Sequence, residues 1–158
     1  MSVSLRVPSS RVVRLTIPGW APSKSNSYRI GKAPDGTPRL FKGSPGRAGD
    51  AVKAFEQSAL SILLTSRVTP FEGPVSVEAV VYLPNLRCDV PGCEKVLLDA
   101  LQNWRPKTVR GRRQRIVNIG GYGCYLNDSQ VRRFLVEFGG IDKVNPRIVV
   151  TVSEWSPR

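Results

Sequence analysis

The chain has 158 residues, of which 41% are apolar and 8% aromatic, so it can bury the core of one domain and is not a disordered protein. Its 24 Lys and Arg against 12 Asp and Glu give a net charge of +12, which favours a polyanionic partner such as nucleic acid over a merely basic, soluble surface. Histidine is absent, which excludes Ser-His and Cys-His catalysis and any His-ligated metal.

Nothing in the sequence indicates export or membrane insertion. The start, MSVSLRVPSS, lacks an apolar signal core, and the longest aliphatic run, LSILL at 60–64, is too short to span a bilayer. Three cysteines without a secretory signal indicate free thiols in a reducing compartment. We therefore expect a cytoplasmic protein with no membrane partner.

The first half of the chain predicts a strand, a loop and a helix. RVVRLTIPGW (11–20) alternates and ends at Pro18, which is typical of a strand. Residues 31–50 contain five glycines and three prolines, which indicates a mobile loop inside one domain. From about Arg47 to Ser66 the apolar residues recur at helical spacing and predict an amphipathic helix.

The second half predicts a strand at 73–84, a helix starting near Pro91, and two closing strands at 130–138 and 147–155. The second helix has an apolar stripe made of Cys93, Leu97, Ala100, Leu101 and Trp104. Strands and helices are mixed along the chain. The pattern predicts a single two-layer α+β domain over 1–158, with an about four-stranded mixed sheet and two main helices.

A small acidic island interrupts this basic chain. Asp89, Glu94 and Asp99 lie close together around Lys95, and after Asp99 no acid appears before Asp128. Mg²⁺ prefers oxygen ligands, screens a phosphodiester and activates water, so carboxylates inside a basic surface suit a metal-dependent nuclease. The structural alternative is that Lys95 and Asp99 form a surface i,i+4 pair, on the face opposite the apolar stripe, and that Asp89 caps a helix.

Residues 105–123 contain six bases and no acid, and they connect the second helix to Asp128. We interpret them as a basic loop or hairpin that grips a nucleic-acid backbone, the alternative being an inert solvated arm. The candidate nucleic-acid contacts in this segment are Arg105, Lys107, Arg110, Arg112, Arg113 and Arg115. Further candidates elsewhere are Lys24, Asn26, Arg29 and Arg87.

The three cysteines allow two interpretations. Cys88, Cys93 and Cys124 all lie near the acidic motifs in sequence, and with Asp89 or Asp128 they would provide zinc ligands. Their spacing is a poor match to usual zinc sites, and free cysteine is commonly a small buried apolar residue. Core packing is therefore the preferred interpretation.

Three motifs in order resemble the RusA family of Holliday-junction resolvases, small endonucleases common on phages and prophages. IPGWAPSKSNSY (17–28) resembles the family's early signature, CDVPGCEKVLLDAL (88–101) its central Asp-x-Asp-Asn, Lys, Asp-Ala-Leu signature, and YLNDSQV (125–131) its late one. The resemblance covers nearly the whole chain. It implies a RusA-like fold and a homodimer that nicks four-way junctions symmetrically with Mg²⁺, or Mn²⁺ as a substitute, in DNA recombination or repair.

The resemblance also implies residue roles. Asp89 matches the first metal-binding aspartate, Asp128 the acid of the late motif, and Lys95 the lysine that contacts the scissile phosphate or steadies the leaving group. Asp99 matches the Asp of Asp-Ala-Leu, with a structural role as the alternative. It further implies a bacterial or phage-infected cell and association with the nucleoid.

The chain departs from the family at Pro91 and Gly92, which replace the second aspartate and the asparagine, and Asn127 stands where the late motif often has its first aspartate. We expect Glu94 to reach the vacated position, so that Asp89, Asp128 and Glu94 hold the metal. A second alternative uses Asp99 and Asp128 with Asp89 and extra water. A third is a crippled site in a protein that only binds junctions. The rival from a different class is a non-catalytic accessory protein that binds branched DNA without cutting it.

Overall fold

The computed structural model describes residues 11–22, 28–42, 47–87, 90–103, 108–109, 112–113 and 121–157. Within these ranges, four strands form the main sheet: β1 Val12–Pro18, β4 Val75–Leu83, β7 Val131–Ile141 and β8 Arg147–Glu154. The remaining strands are β2 Tyr28–Lys32, β3 Pro38–Lys42, β5 Thr108–Val109 and β6 Arg112–Arg113. The helices are α1 Arg47–Thr65 and α2 Glu94–Leu101.

The main sheet has the strand order β1-β8-β4-β7. β4 and β7 are parallel neighbours, and the connection between them contains α2, whereas β8 pairs antiparallel with both β1 and β4. A parallel pair requires such a long crossover, while antiparallel neighbours do not. The sheet is therefore mixed, and the predicted α+β class is confirmed.

The two faces of the sheet differ because side chains alternate along each strand. On one face Leu15, Val150 and Ala79 lie side by side across three strands and are buried with the helices, and Val136 of β7 continues the row. On the other face the neighbouring row, Thr16, Val149, Val80 and Glu137, is exposed or half-buried. Both helices cover one face only, which gives the predicted two-layer arrangement.

The structure differs from the sequence prediction at 31–50. β2 and β3 pair antiparallel with Tyr28 opposite Lys42, so a hairpin occupies 28–42 where the mobile loop was predicted. The turn forms because Gly36 has a φ of +82°, a conformation that costs glycine little. Asp35 Oδ1 also accepts a hydrogen bond from the Thr37 amide at 3.0 Å. Gly36 therefore contributes to a defined turn.

Two short strands lie within the basic segment predicted at 105–123. β5 and β6 pair antiparallel, Thr108 with Arg113 and Val109 with Arg112. Most of the segment lies outside the described residues. None of the helices in the described ranges has the length and apolarity that a bilayer crossing requires.

Candidate functional site

The site is built on α2, which a 3-10 turn, Pro91–Cys93, precedes. The predicted start near Pro91 agrees with this turn, since proline suits a first helical position where no amide donor is needed. Cys93, Leu97, Ala100 and Leu101 are buried, as their predicted apolar stripe requires. Trp104 lies outside the described residues.

Asp99 is buried, contrary to the predicted exposed position opposite the stripe. It is only 4% exposed, because α2 is covered on a second side by the chain that returns after the basic segment. That chain contributes Tyr125, which is itself fully buried and donates its hydroxyl to the Leu98 carbonyl oxygen at 2.8 Å. Burial raises the pKa of the Tyr125 hydroxyl, and the nearby charges of Asp128 and Asp99 raise it further.

Lys95 joins the two acids that the sequence separates. Its Nζ lies 2.9 Å from Asp99 Oδ1 and 3.0 Å from Asp128 Oδ2, so one ammonium bridges the central and the late motif. The Lys95 side chain is 58% exposed and that of Asp128 46%, whereas that of Asp99 is 5% exposed. The hydrogen bonds to Asp99 and then to Asp128 raise the pKa of Lys95.

A capped 3-10 turn, Asp128–Gln130, holds Asp128 in place. The Asn127 side chain accepts a hydrogen bond from the Ser129 amide at 3.0 Å, and the Gln130 side chain accepts one from the Asn127 amide at 3.3 Å. Gln130 also donates to the carbonyl oxygens of Phe71 and Gly73, each at 2.8 Å. Asn127, considered above only as a lost aspartate, is therefore a positioning residue.

Sequence reasoning missed the roles of Asn127 and Gln130, although a signal for them was present. An Asn followed three positions later by Gln is a capping box pattern. In this pattern the side chain of each residue accepts a hydrogen bond from a backbone amide at the opposite end of the turn.

The residues that flank the basic segment lie close to Asp128. The Asn103 amide donates to the Tyr125 carbonyl oxygen at 2.7 Å, and the Cys124 amide donates to that of Leu101 at 2.8 Å. These bonds tie the residues on either side of 104–120 together beside α2. Gly123 fits there because it has no side chain: a Cβ would lie 2.6 Å from the Asn103 nitrogen.

Glu94 lies on a different side of α2 from Lys95 and Asp99. It is exposed at the start of α2, and a helix of 3.6 residues per turn places it about 100° from Lys95 and about 140° from Asp99 around the axis. Among the described residues, the acids that contact the Lys95 ammonium are Asp99 and Asp128. This geometry favours Asp99 over Glu94 as the second carboxylate of the site.

Several predicted residues cannot be placed beside this cluster. Asp89, Cys88, Lys24, Asn26, Arg105, Lys107, Arg110 and Arg115 lie outside the described residues. Arg29 belongs to β2, and Arg112 and Arg113 form β6. Arg87 is exposed, and its amide donates to Asn85 Oδ1 at 2.9 Å.

Two of the three cysteines lie in the core. Cys93 and Cys124 are at most 1% exposed, as expected if they serve core packing. Burial raises the pKa of the Cys124 thiol to about 12, which keeps it neutral. Among the residues that the structure describes, no three Cys, Asp or Glu side chains converge as a metal-binding group.

The arrangement of charges defines what this site can do chemically. Two carboxylates from separate segments converge on one cationic position, and a half-exposed ammonium lies there within reach of an incoming phosphate.

No protein-family model matches the chain, and a comparison with curated proteins finds no match either.

Proposed function

We propose that the protein is a Mg²⁺-dependent, structure-selective endonuclease of the RusA type that resolves four-way DNA junctions as a homodimer. The observation that carries the proposal is the bridge from Lys95 to Asp99 and Asp128, at 2.9 and 3.0 Å. Lys95 and Asp128 are 33 positions apart and belong to the two motifs that resemble the family's catalytic ones. In a protein that only binds DNA, the half-exposed Asp128 carboxylate would repel phosphate.

Asp99 and Asp128, with Asp89, which precedes α2 in the sequence, are the residues that would hold the metal. Carboxylate oxygens from separate segments fit Mg²⁺, which commonly binds through one or two protein carboxylates and keeps several waters. When bound, Mg²⁺ supplies charge for the phosphate and lowers the pKa of a water that attacks it. Lys95 contributes a second positive charge to the scissile phosphate. Asp99 thus takes the role that the sequence assigned to Glu94.

The basic segment supports a nucleic-acid substrate because of where its ends lie. Asn103, just before the segment, donates its amide to Tyr125, which is three positions from Asp128, so the described residues that flank 104–120 lie near the carboxylates. If its six bases each neutralise one phosphate, log affinity falls with log salt at a slope of about −5. Charge reversal at Arg112 and Arg113 together is expected to reduce that slope by about 2.

A junction-nicking assay tests the proposal. Purified protein is incubated with a synthetic four-way junction in Mg²⁺ or in EDTA, and symmetric nicks are expected in Mg²⁺ alone. Asp128→Asn and Asp89→Asn are expected to lower the nicking rate at least about 100-fold while the junction is still bound. Asp50→Asn, at an exposed position in the first turn of α1, is the matched control and keeps the rate. Full activity of Asp128→Asn contradicts the metal assignment.

The non-catalytic accessory protein remains the second candidate because of Pro91 and Gly92. Neither side chain binds a metal, and the two stand where the family has an aspartate and an asparagine. In the same assay this protein shifts the junction band and produces no nick in either buffer. Its junction affinity is then unaffected by EDTA.

A further inference from the structure

Lys95 occupies the position that suits a cation between Asp99 and Asp128. Its Nζ lies within 3.0 Å of one oxygen from each carboxylate. A divalent ion held by the same two oxygens would lie about 2.0–2.1 Å from each, close to the position that the ammonium now holds. Two cations in contact repel each other, and both would draw on the same oxygen lone pairs.

The three side chains differ in their freedom to move. Asp99, at 5% exposure, is fixed on α2, and the capped turn fixes the backbone of Asp128. Lys95 is 58% exposed and has a flexible four-carbon stem, so its ammonium can leave the carboxylates and turn toward solvent or a phosphate. Of the three side chains, Lys95 is therefore the one that can move away when another cation binds.

We propose that the Lys95 ammonium and a divalent cation compete for the position between Asp99 and Asp128, so that Lys95 acts as an internal counter-ion that metal must displace. The inference rests on the proposed function, since it takes these two acids as metal ligands. It adds a mode of regulation: metal binds weakly to the free protein. A DNA phosphate that attracts the ammonium releases Lys95 from both carboxylates and lets the metal take its place, so DNA and metal each strengthen the binding of the other.

Mn²⁺ binding to the DNA-free protein tests this competition without depending on activity. Free Mn²⁺ is measured by electron paramagnetic resonance in titrations of wild type and Lys95→Met at pH 8. Removing the ammonium is expected to tighten Mn²⁺ binding at least about 10-fold. Lys95→Arg keeps a cation and is expected to bind as weakly as wild type. Lys53→Met, at an exposed position of α1, is the matched control and leaves the affinity unchanged.

Folding is checked by circular dichroism, and Lys95→Gln, which keeps a hydrogen-bond donor without the charge, replaces Lys95→Met if the latter unfolds. The gain in Mn²⁺ affinity is expected to disappear when Asp128→Asn is added to the same chain. Equal or weaker Mn²⁺ binding by a folded Lys95→Met or Lys95→Gln protein overturns the proposal, as does a gain that survives Asp128→Asn.

The outcomes of the two experiments are distinguishable. Tighter Mn²⁺ binding by Lys95→Met in a protein whose wild type never nicks a junction supports the competition and refutes the nuclease. Junction nicking by wild type without any gain of affinity in Lys95→Met supports the nuclease and refutes the competition.

Discussion

Two regions of the molecule hold a base and an acid together in different ways. At the contact between α2 and the returning chain 121–130, Lys95 reaches Asp99, whose side chain is 5% exposed. On the open face of the sheet, Arg133 of β7 pairs with Glu78 of the neighbouring β4, and these side chains are 52% and 48% exposed. A buried carboxylate requires its partner, whereas an exposed pair is screened by water and contributes about 0–1 kcal/mol. The first region therefore depends on its side chains and the second tolerates their loss.

The largest effect is expected at Gly123, in the region that depends on close packing. In Gly123→Ala the new Cβ would lie 2.6 and 2.7 Å from the Asn103 nitrogen and Cα, which are backbone atoms that cannot step aside. We expect a loss of about 2–3 kcal/mol in the free energy of unfolding, measured by urea denaturation. Gly73→Ala, just before β4, has nothing within 4 Å of its Cβ and is expected to unfold like wild type. Equal midpoints for the two variants would contradict the close approach.

The second largest effect is expected for Asp99→Asn, and it is compared with the effect of Glu78→Gln on the open face of the sheet. Asp99→Asn removes the charge that Lys95 faces in a buried position, and we expect it to cost about 1–2 kcal/mol of unfolding free energy. Glu78→Gln on the open face is expected to cost at most about 0.5 kcal/mol. Thermal melts at pH 7 measure both. A larger loss for Glu78→Gln would reverse the ranking of the two regions.

Tyr125→Phe is expected to have a smaller effect than Asp99→Asn. The variant keeps the buried ring and loses the hydroxyl that donates to Leu98 at 2.8 Å, one of the last carbonyls of α2, which the helix cannot satisfy by itself. The expected cost is about 1 kcal/mol by urea denaturation. Tyr82→Phe keeps the ring over which the Arg147 guanidinium lies at 4.1 Å, so this control should melt at the wild-type temperature.

The smallest expected effect is on the pH dependence of stability, and it involves Asp142, which directly follows β7. Hydrogen bonds from the Asn145 amide, the Arg147 side chain and the Val144 amide lower the pKa of Asp142 below its ordinary value. Because the folded-state pKa is the lower one, the stabilisation is complete above the ordinary aspartate range and is lost as pH falls through the lowered value. Asp142→Asn is expected to melt with a weaker pH dependence between about pH 5 and 2 than wild type. Identical slopes would contradict this role.

Sequence patterns predicted the parts of the fold that local periodicity specifies. The alternation at 11–20 and 73–84 and the helical spacing from Arg47 were sufficient for β1, β4 and α1, because one face of each element is buried. The hairpin at 28–42 was missed, since the composition of 31–50 was interpreted as a mobile loop without regard to the turn at Gly36.

The site was predicted only in part, for a physical reason. The sequence identified Lys95, Asp99 and Asp128 as candidates, and the structure brings these three together. It did not predict that Asp99 is buried, because α2 is only eight residues long and its second covered side is made by Tyr125, far away in sequence. Such long-range coverage leaves no periodic signal in a short helix.

The place of β8 in the sheet has a consequence for how the chain is made. β1 is the earliest strand of the sheet, yet its strand partner is β8, which also completes the pairing of β4. At about 5–20 residues per second, translation from β1 to β8 takes on the order of ten seconds. During that interval the backbone of β1, which includes Leu15 and Ile17, has no strand to pair with in the sheet. Newly made chains of this protein should therefore bind holdase chaperones until β8 pairs with β1.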